Sequence, residues 1–171
     1  MKIEKYISPE QISEALDKIA GEINDCYGDE DVIFCVIMKG SMIFAADLIR
    51  RLKMPVRVEF MRAKSYDSGT VASGEVNILC DMDCDIAGKN LILVEDIIDT
   101  GNTLYTLTQT LEKRKPKSIK LCTLLDKPSR RIAPLSPDFC GITIPDEFVV
   151  GYGLDYNERF RELPYIGIVQ L

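Results

Sequence analysis

The residues VEDIIDTGNTL, at positions Val94–Leu104, decide the fold class because they join an apolar strand to a helix. The apolar run Leu91–Val94 predicts a buried strand, and a helical pattern begins at about Thr103. In open α/β sheets, ligands bind beyond the carboxyl ends of the strands. Asp99–Thr103 lies at such an end, where backbone N–H groups, hydroxyls and a helix N-terminus converge. The stretch therefore predicts an anion site, most naturally for a phosphate.

Two adjacent carboxylates, Glu95 and Asp96, follow the apolar strand. Successive side chains of an extended chain point to opposite sides, so one can reach a ligand while the other contacts backbone or a metal. The alternative is a charged strand end before an ordinary helix cap. The combination of apolar strand, acidic pair, Asp-Thr-Gly and second threonine favours a functional site over that alternative. A Walker A loop is excluded because its Gly-Lys-Ser/Thr ending is missing.

Strands and helices alternate on both sides of this segment. Ser8 begins a capping box with Gln11, and apolar residues at helical spacing follow it. Further strands are predicted at Val32–Met38, Val56–Met61, Ile119–Leu125, Phe139–Ile144, Phe148–Tyr152 and Tyr165–Leu171, and further helices at Met42–Leu52 and about Thr103–Arg114. The alternation predicts an α/β fold with a mainly parallel central sheet flanked by helices. No repeat or linker divides the sequence, so we expect one domain over residues 1–171.

The 171 residues include no histidine. This excludes a Ser-His-Asp triad, a Cys-His dyad and a histidine-ligated zinc site. A general base must then be Asp, Glu, Lys, Tyr or Cys. A metal site must use oxygen or thiolate ligands, which favours a hard cation such as Mg²⁺.

The net charge is −6, from 21 basic and 27 acidic residues. This balance disfavours nucleic-acid binding, which needs a basic surface, but a phosphorylated small substrate needs only a local basic cluster or a metal. The N-terminal sequence has no apolar signal-peptide core, and no run is long enough to span a membrane. Most of the six cysteines lie in apolar runs, so we expect a cytoplasmic protein with reduced thiols and no membrane partner.

The Val94–Leu104 segment resembles the phosphoribosyl-pyrophosphate (PRPP) binding motif of the type I phosphoribosyltransferase family. The resemblance implies that family's fold, in which the mainly parallel sheet carries a small hood formed by terminal segments. In the family, the acidic pair binds the ribose hydroxyls and the following loop holds the 5′-phosphate. The implied phosphate and ribose ligands are Glu95, Asp96, Asp99, Thr100, Gly101, Asn102 and Thr103.

Three further segments resemble the hypoxanthine-guanine branch of this family, in the family's order. MKGS (38–41) resembles its pyrophosphate loop and implies a cis peptide bond between Met38 and Lys39. RAKSYDSGT (62–70) resembles its mobile active-site loop, and LLDKP (124–128) its purine-contacting lysine. The implied pyrophosphate ligands are Lys39, Gly40, Arg161, Ser65 and Tyr66.

FVVGYGLDYNERFRELPYIG (148–167) resembles the purine-pocket and metal segment of the same branch. The resemblance implies that Phe148 stacks on the purine and that the Val149 carbonyl accepts from a 2-amino group. The implied purine-binding residues are Lys127, Phe148, Val149 and Asp155, and the implied metal ligands are Asp155, Glu95 and Asp96.

The resemblance also implies a Mg²⁺-dependent reaction in which hypoxanthine or guanine and PRPP give a nucleoside monophosphate and pyrophosphate. The transition state should resemble an oxocarbenium ion, as in glycoside chemistry. Asp99 is the candidate acceptor of the N7 proton, because aspartate side chains are ionised at neutral pH. Lys127 would donate to the 6-oxo group and so reject 6-amino purines, which present a donor there.

Two alternatives remain open at this point. A relative that acts on xanthine or uracil would share the PRPP site, and xanthine also carries the 6-oxo group that Lys127 would contact. An RNA-binding regulator on the same fold would need a basic face, and the net charge of −6 counts against one. We expect PRPP and a 6-oxopurine as the partners, no nucleic acid, and a homodimer or homotetramer.

Overall fold

The computed structural model describes residues 2–65 and 76–170. Its helices and strands are β1 (Lys2–Ile7), α1 (Pro9–Tyr27), β2 (Val32–Ile37), α2 (Met42–Ile49), β3 (Val56–Ser65), β4 (Val76–Cys80), β5 (Asn90–Ile98), α3 (Asn102–Glu112), β6 (Ser118–Asp126), β7 (Phe139–Thr143), β8 (Val149–Val150) and β9 (Ile166–Gln170). A short 3-10 turn, Pro128–Arg130, follows β6. Among the described residues, no helix is long and apolar enough to cross a membrane.

A central sheet with the strand order β4-β3-β2-β5-β6-β7 forms the middle of the fold. β2, β3, β5, β6 and β7 pair in parallel, and only β4 is antiparallel to its neighbour. The residues Leu91–Val94 of β5 are 0% exposed because strands flank them and both sheet faces are covered. The predicted mainly parallel sheet with a buried strand before the acidic pair is confirmed.

Helices cover the two faces of the sheet and separate two apolar cores. α1 and α2 pack on one face, where their side chains meet Phe34 and Val36 of β2. α3 packs on the other face through Leu104, Leu107 and Leu111. The α1 capping box is present, with the Gln11 N–H donating to Ser8 Oγ at 3.3 Å and the Ser8 N–H donating to Gln11 Oε1 at 2.9 Å.

A smaller antiparallel sheet with the order β1-β9-β8 joins the two ends of the described chain. This sheet is the hood of terminal segments that the family resemblance implied. Sequence patterns did not predict β1, because within this strand only Ile7 is buried and no apolar alternation results. Its position depends on pairing with β9, from Lys2 opposite Gln170 to Ile7 opposite Ile166.

The central strands extend beyond their apolar segments. β5 continues through Glu95 and Asp96 to Ile98, which pairs with Asp126 of β6, although only Leu91–Val94 was predicted as strand. β3 continues to Ser65, and the unpredicted edge strand β4 pairs with this extension. Backbone pairing thus extends β5 and β3 through polar residues at their carboxyl ends. A pattern of apolar side chains does not predict a strand there.

Candidate active site

The carboxyl ends of β2, β5 and β6 meet at one edge of the central sheet, because these strands are parallel neighbours. Lys39 and Gly40 follow β2, the loop Asp99–Gly101 joins β5 to α3, and Lys127 follows β6. Residues from three separate motifs therefore lie at the same edge, as expected for a ligand site in an open α/β fold.

The phosphate loop, which we define as Asp99–Thr103, turns sharply into α3. Gly101 has a φ of 76° and precedes the first residue of the helix. The Asn102 N–H donates to Thr100 Oγ1 at 3.4 Å. The loop lines a cavity of about 280 Å³, together with Glu95 and the first turn of α3. The N–H groups of a first helical turn lack intrahelical partners, so this cavity favours an anion.

Arg131 fixes the phosphate loop through hydrogen bonds to its backbone. Its Nε donates to the Asp99 carbonyl at 3.0 Å and its Nη1 donates to the Leu135 carbonyl at 2.8 Å. Its Nη2 forms an ion pair with Asp126, and both side chains are largely buried. The Thr100 carbonyl also accepts from two N–H groups that follow Arg131. Sequence reasoning missed Arg131, since nothing in its local sequence links it to a loop about thirty residues earlier.

Lys127 and Asp99, which were predicted separately, form an ion pair. The Lys127 Nζ lies 3.2 Å from Asp99 Oδ1, and the lysine side chain is 7% exposed. The Lys127 N–H donates to the Ile98 carbonyl at 3.0 Å, so the backbone of β5 holds the lysine in place. Asp99 Oδ1 accepts no hydrogen bond from any described residue. Oδ1 is buried beside the lysine, but the Asp99 side chain as a whole is 46% exposed, so the rest of the carboxylate remains open to a ligand.

Glu95 and Asp96 lie close enough for their carboxylates to interact, and each also meets a different neighbour. Glu95 lines the cavity of the phosphate loop. The Asp96 carboxylate lies against Gly40, where any side chain would overlap it. Burial and the neighbouring Asp96 charge raise the pKa of Glu95 well above the usual value, and burial also raises the pKa of Asp96. A cation or hydroxyl donors placed here would relieve the repulsion between the two groups.

The loop after β2 is in backbone contact with the segment that precedes Asp155. The Met38–Lys39 peptide bond is cis, which confirms the implication of the family resemblance. Gly153 has a φ of 102°, and a side chain there would overlap the Gly40 carbonyl. Only glycine fits both the left-handed backbone and this close approach.

Arg161 connects three groups in the segment before β9. Its Nη1 donates to the Gly153 carbonyl at 2.7 Å, and its Nη2 lies 2.9 Å from Asp155 Oδ1 and 3.3 Å from Glu158 Oε2. Glu158 Oε2 also accepts from Lys39 Nζ at 2.8 Å. The structure thus brings together the cations Lys39 and Arg161, with Glu158, which was not predicted, between them.

Phe148 and Val149 lie at the start of the same segment. The Phe148 side chain is 49% exposed and meets Tyr156 edge-on, with 5.7 Å between the ring centroids. Val149 is buried in β8 opposite Ile168. An aromatic ring that is half exposed and held by its neighbour leaves a face for a planar ligand.

The implied metal ligands lie on two separate elements, Glu95 and Asp96 on β5 and Asp155 after β8. Within the described ranges, no group of three or more Asp, Glu, Cys or His residues is arranged to hold a metal. Mg²⁺ characteristically takes one or two carboxylates and completes its shell with substrate and water oxygens, so these donors fit it. Of the predicted loop pair, Ser65 ends β3 and Tyr66 lies outside the described residues.

Comparison with known proteins shows which family this chain is similar to. Residues 6–157 match the phosphoribosyl transferase domain model. The chain is 46% identical over 171 residues to a hypoxanthine phosphoribosyltransferase of Salmonella typhimurium, covering 99% of this chain and 96% of the relative. It is 46% identical over 169 residues to a hypoxanthine-guanine phosphoribosyltransferase of Bacillus subtilis, covering 98% and 94% of the two chains. A solved hypoxanthine-guanine phosphoribosyltransferase of Bacillus anthracis superimposes with a TM-score of 0.94 at 45% identity, covering 99% of this chain and 100% of the other.

The anchoring of the phosphate loop by Arg131 predicts a loss of stability on its removal. Arg131→Gln leaves the largely buried Asp126 carboxylate without its partner and should lower the free energy of unfolding by about 3 kcal/mol. Arg130→Gln is the matched control, because Arg130 pairs with Asp146 at the surface and both side chains are about half exposed. The control should lose less than about 1 kcal/mol. Urea unfolding measures both variants, and equal losses would contradict the proposed role of Arg131.

Proposed function

Because the chain belongs to the phosphoribosyltransferase domain family, we propose that it transfers the 5-phosphoribosyl group of PRPP to N9 of hypoxanthine or guanine. The products are IMP or GMP and pyrophosphate, a reaction of purine salvage. The observation that carries the proposal is the Lys127–Asp99 ion pair beside the phosphate loop. This pair offers a donor for a 6-oxo group and an acceptor for an N–H at the edge where a phosphoribosyl group would lie.

The phosphate loop would bind the 5′-phosphate through its backbone N–H groups and its threonine hydroxyls. The cavity of about 280 Å³ and the first turn of α3 support this role. Asn102 opens the helix, so its backbone N–H is what it offers to the phosphate. Glu95 and Asp96 would accept hydrogen bonds from the ribose hydroxyls, which would stabilise two carboxylates whose burial raises their pKa.

Asp99 would accept the N7 proton as N9 of the base displaces pyrophosphate at the anomeric carbon of the ribose. Its side chain is 46% exposed, and a cation lies 3.2 Å from its Oδ1. When the purine enters, Lys127 would donate to the 6-oxo group, and a 6-amino group would meet this donor with another donor.

Phe148 and Val149 would complete the purine site. The half-exposed Phe148 ring would stack on the base, and the Val149 carbonyl would accept from the 2-amino group of guanine. These two contacts suit both 6-oxopurines, because hypoxanthine simply lacks the 2-amino group. Asp155 belongs to the same segment and would border the purine site.

Lys39, Arg161 and the Gly40 N–H would bind the departing pyrophosphate. The two cations lie on either side of one carboxylate oxygen of Glu158, at 2.8 and 3.3 Å, which supports a shared anion site. Ser65 and Tyr66 would close over the pyrophosphate and exclude water, which limits hydrolysis of PRPP.

Mg²⁺ is the proposed cofactor. Asp155, with Glu95 and Asp96 beside the ribose hydroxyls, would hold it together with oxygens of the substrate. When bound, the ion would supply positive charge that offsets the charge of the diphosphate. The donors are all carboxylates, which this hard cation prefers.

We also propose a cytoplasmic homodimer or homotetramer. Met38, Met42 and Phe60, near the ends of β2 and β3, are 38%, 51% and 47% exposed. We propose that these three exposed apolar side chains contribute to the association surface. The six cysteines are free, the usual state in the reducing cytoplasm.

The function is tested by incubating the protein with Mg²⁺, PRPP and, separately, hypoxanthine, guanine, xanthine, adenine and uracil. Nucleotide formation is expected with hypoxanthine or guanine. It is not expected with adenine, because Lys127 presents a hydrogen-bond donor to position 6, where adenine also carries a donor. Product from xanthine or uracil alone would replace the proposed substrate with another base. No product from any 6-oxopurine would overturn the proposal.

Asp99→Asn should lower kcat by about 10²–10⁴-fold, the usual contribution of a general base, and change the KM for PRPP much less. The amide keeps the shape of the side chain but cannot take the proton. Steady-state kinetics with hypoxanthine measures both constants. An unchanged kcat would remove Asp99 from the role of base.

Phe60→Glu should shift the assembly toward monomer, because a charge in an apolar interface carries a desolvation cost without a partner. Phe60→Leu, which keeps the surface apolar, is the control and should preserve the assembly. Light scattering during size-exclusion chromatography gives the masses. A monomeric wild type, or an assembled Phe60→Glu variant, would contradict the proposed surface.

A further inference from the structure

Glu158 lies between the two cations that the proposed function assigns to pyrophosphate. Its Oε2 is 2.8 Å from Lys39 Nζ and 3.3 Å from Arg161 Nη2. The two cations belong to segments more than a hundred residues apart, one after β2 and one before β9. A single carboxylate oxygen therefore joins the loop after β2 to the segment between β8 and β9. This oxygen occupies the position that an anionic ligand would take.

The backbone of Glu158 is held, while its carboxylate is accessible. Asn157 and Glu158 have φ values of 51° and 61°, and Tyr156 and Arg159 pair across them. The Glu158 N–H donates to Asp155 Oδ2 at 2.9 Å. Its side chain is 65% exposed. The turn thus presents the carboxylate to the cations, and only side-chain rotation is needed to withdraw it.

The charge state of Glu158 suits this arrangement. A glutamate side chain is an anion at neutral pH, like the phosphate oxygens that the same donors would bind. Asp155 also lies 2.9 Å from Arg161, so the cluster holds two positive and two negative charges, and an anionic ligand gains a net attraction only by displacing a carboxylate.

We propose that Glu158 occupies the pyrophosphate subsite of the ligand-free enzyme as an internal counter-ion, leaves when PRPP binds and returns as pyrophosphate departs. The inference rests on the proposed function, because that function makes Lys39 and Arg161 the pyrophosphate ligands. Glu158 competes with the ligand for both cations. It therefore weakens pyrophosphate binding and aids product release, while it keeps the cations in place between turnovers.

The test measures the affinity for inorganic pyrophosphate, in the presence of Mg²⁺, by isothermal titration calorimetry. Glu158→Gln removes the competing charge and should tighten binding by about threefold to tenfold, because pyrophosphate no longer has to displace a carboxylate from two exposed ion pairs. Glu162→Gln is the matched control, because Glu162 is exposed on the same segment and loses the same charge. Equal tightening in both variants, or unchanged or weaker binding by Glu158→Gln, would overturn the inference.

A double variant shows whether the effect acts through Lys39. In a Lys39→Met background, Glu158→Gln should tighten pyrophosphate binding by a smaller factor than in the wild type, since one of the two ion pairs is already absent. If Glu158→Gln tightens binding by the same factor in both backgrounds, the effect comes from the change in net charge and not from the ion pair with Lys39. That result would overturn the inference.

The base-panel assay separates this inference from the proposed function. A wild type that forms nucleotide, together with a Glu158→Gln variant that binds pyrophosphate no more tightly, overturns the inference alone. If the wild type forms no nucleotide from any of the bases, both the proposed function and the inference are overturned.

Discussion

The parallel pairing of β5 with β2 on one side and β6 on the other is the constraint on which the site depends. Parallel neighbours end at the same edge, so segments far apart in the chain deliver their polar residues to one place. The buried residues Leu91–Val94 hold β5 in the centre of the sheet. The carboxylates that follow them are therefore carried to this edge by a strand that cannot move independently of the core.

Each cation of the site has an anionic partner within the protein. Lys127 is paired with Asp99, Arg131 with Asp126, and Arg161 with Asp155. A chain with a net charge of −6 can therefore prepare a site for a highly anionic substrate without a basic surface. The pairs also differ in burial. The Arg131–Asp126 pair is largely enclosed, with its two side chains 13% and 12% exposed, whereas Asp99 and Asp155 are 46% and 31% exposed and are freer to rearrange.

The sequence predicted the parts of the fold in which side-chain pattern and backbone structure coincide. The capping box at Ser8, the buried strand at Leu91–Val94 and the turn at Gly101 all carry local signals. β1 and the role of Arg131 could not be predicted, because each depends on contacts between residues far apart in the sequence. Glu158 belongs to the same class, since its importance comes from the proximity of Lys39, which only the folded chain establishes.

The close approach of Gly153, Gly40 and Asp96 limits how this sequence can change. A side chain at Gly153 would overlap the Gly40 carbonyl, and a side chain at Gly40 would overlap the Asp96 carboxylate. Every single-nucleotide change of a glycine codon that alters the residue introduces a side chain or ends the chain. Gly153, which meets backbone and has a positive φ, therefore has no neighbouring codon that preserves the site, whereas a change at Gly40 would require the Asp96 side chain to move.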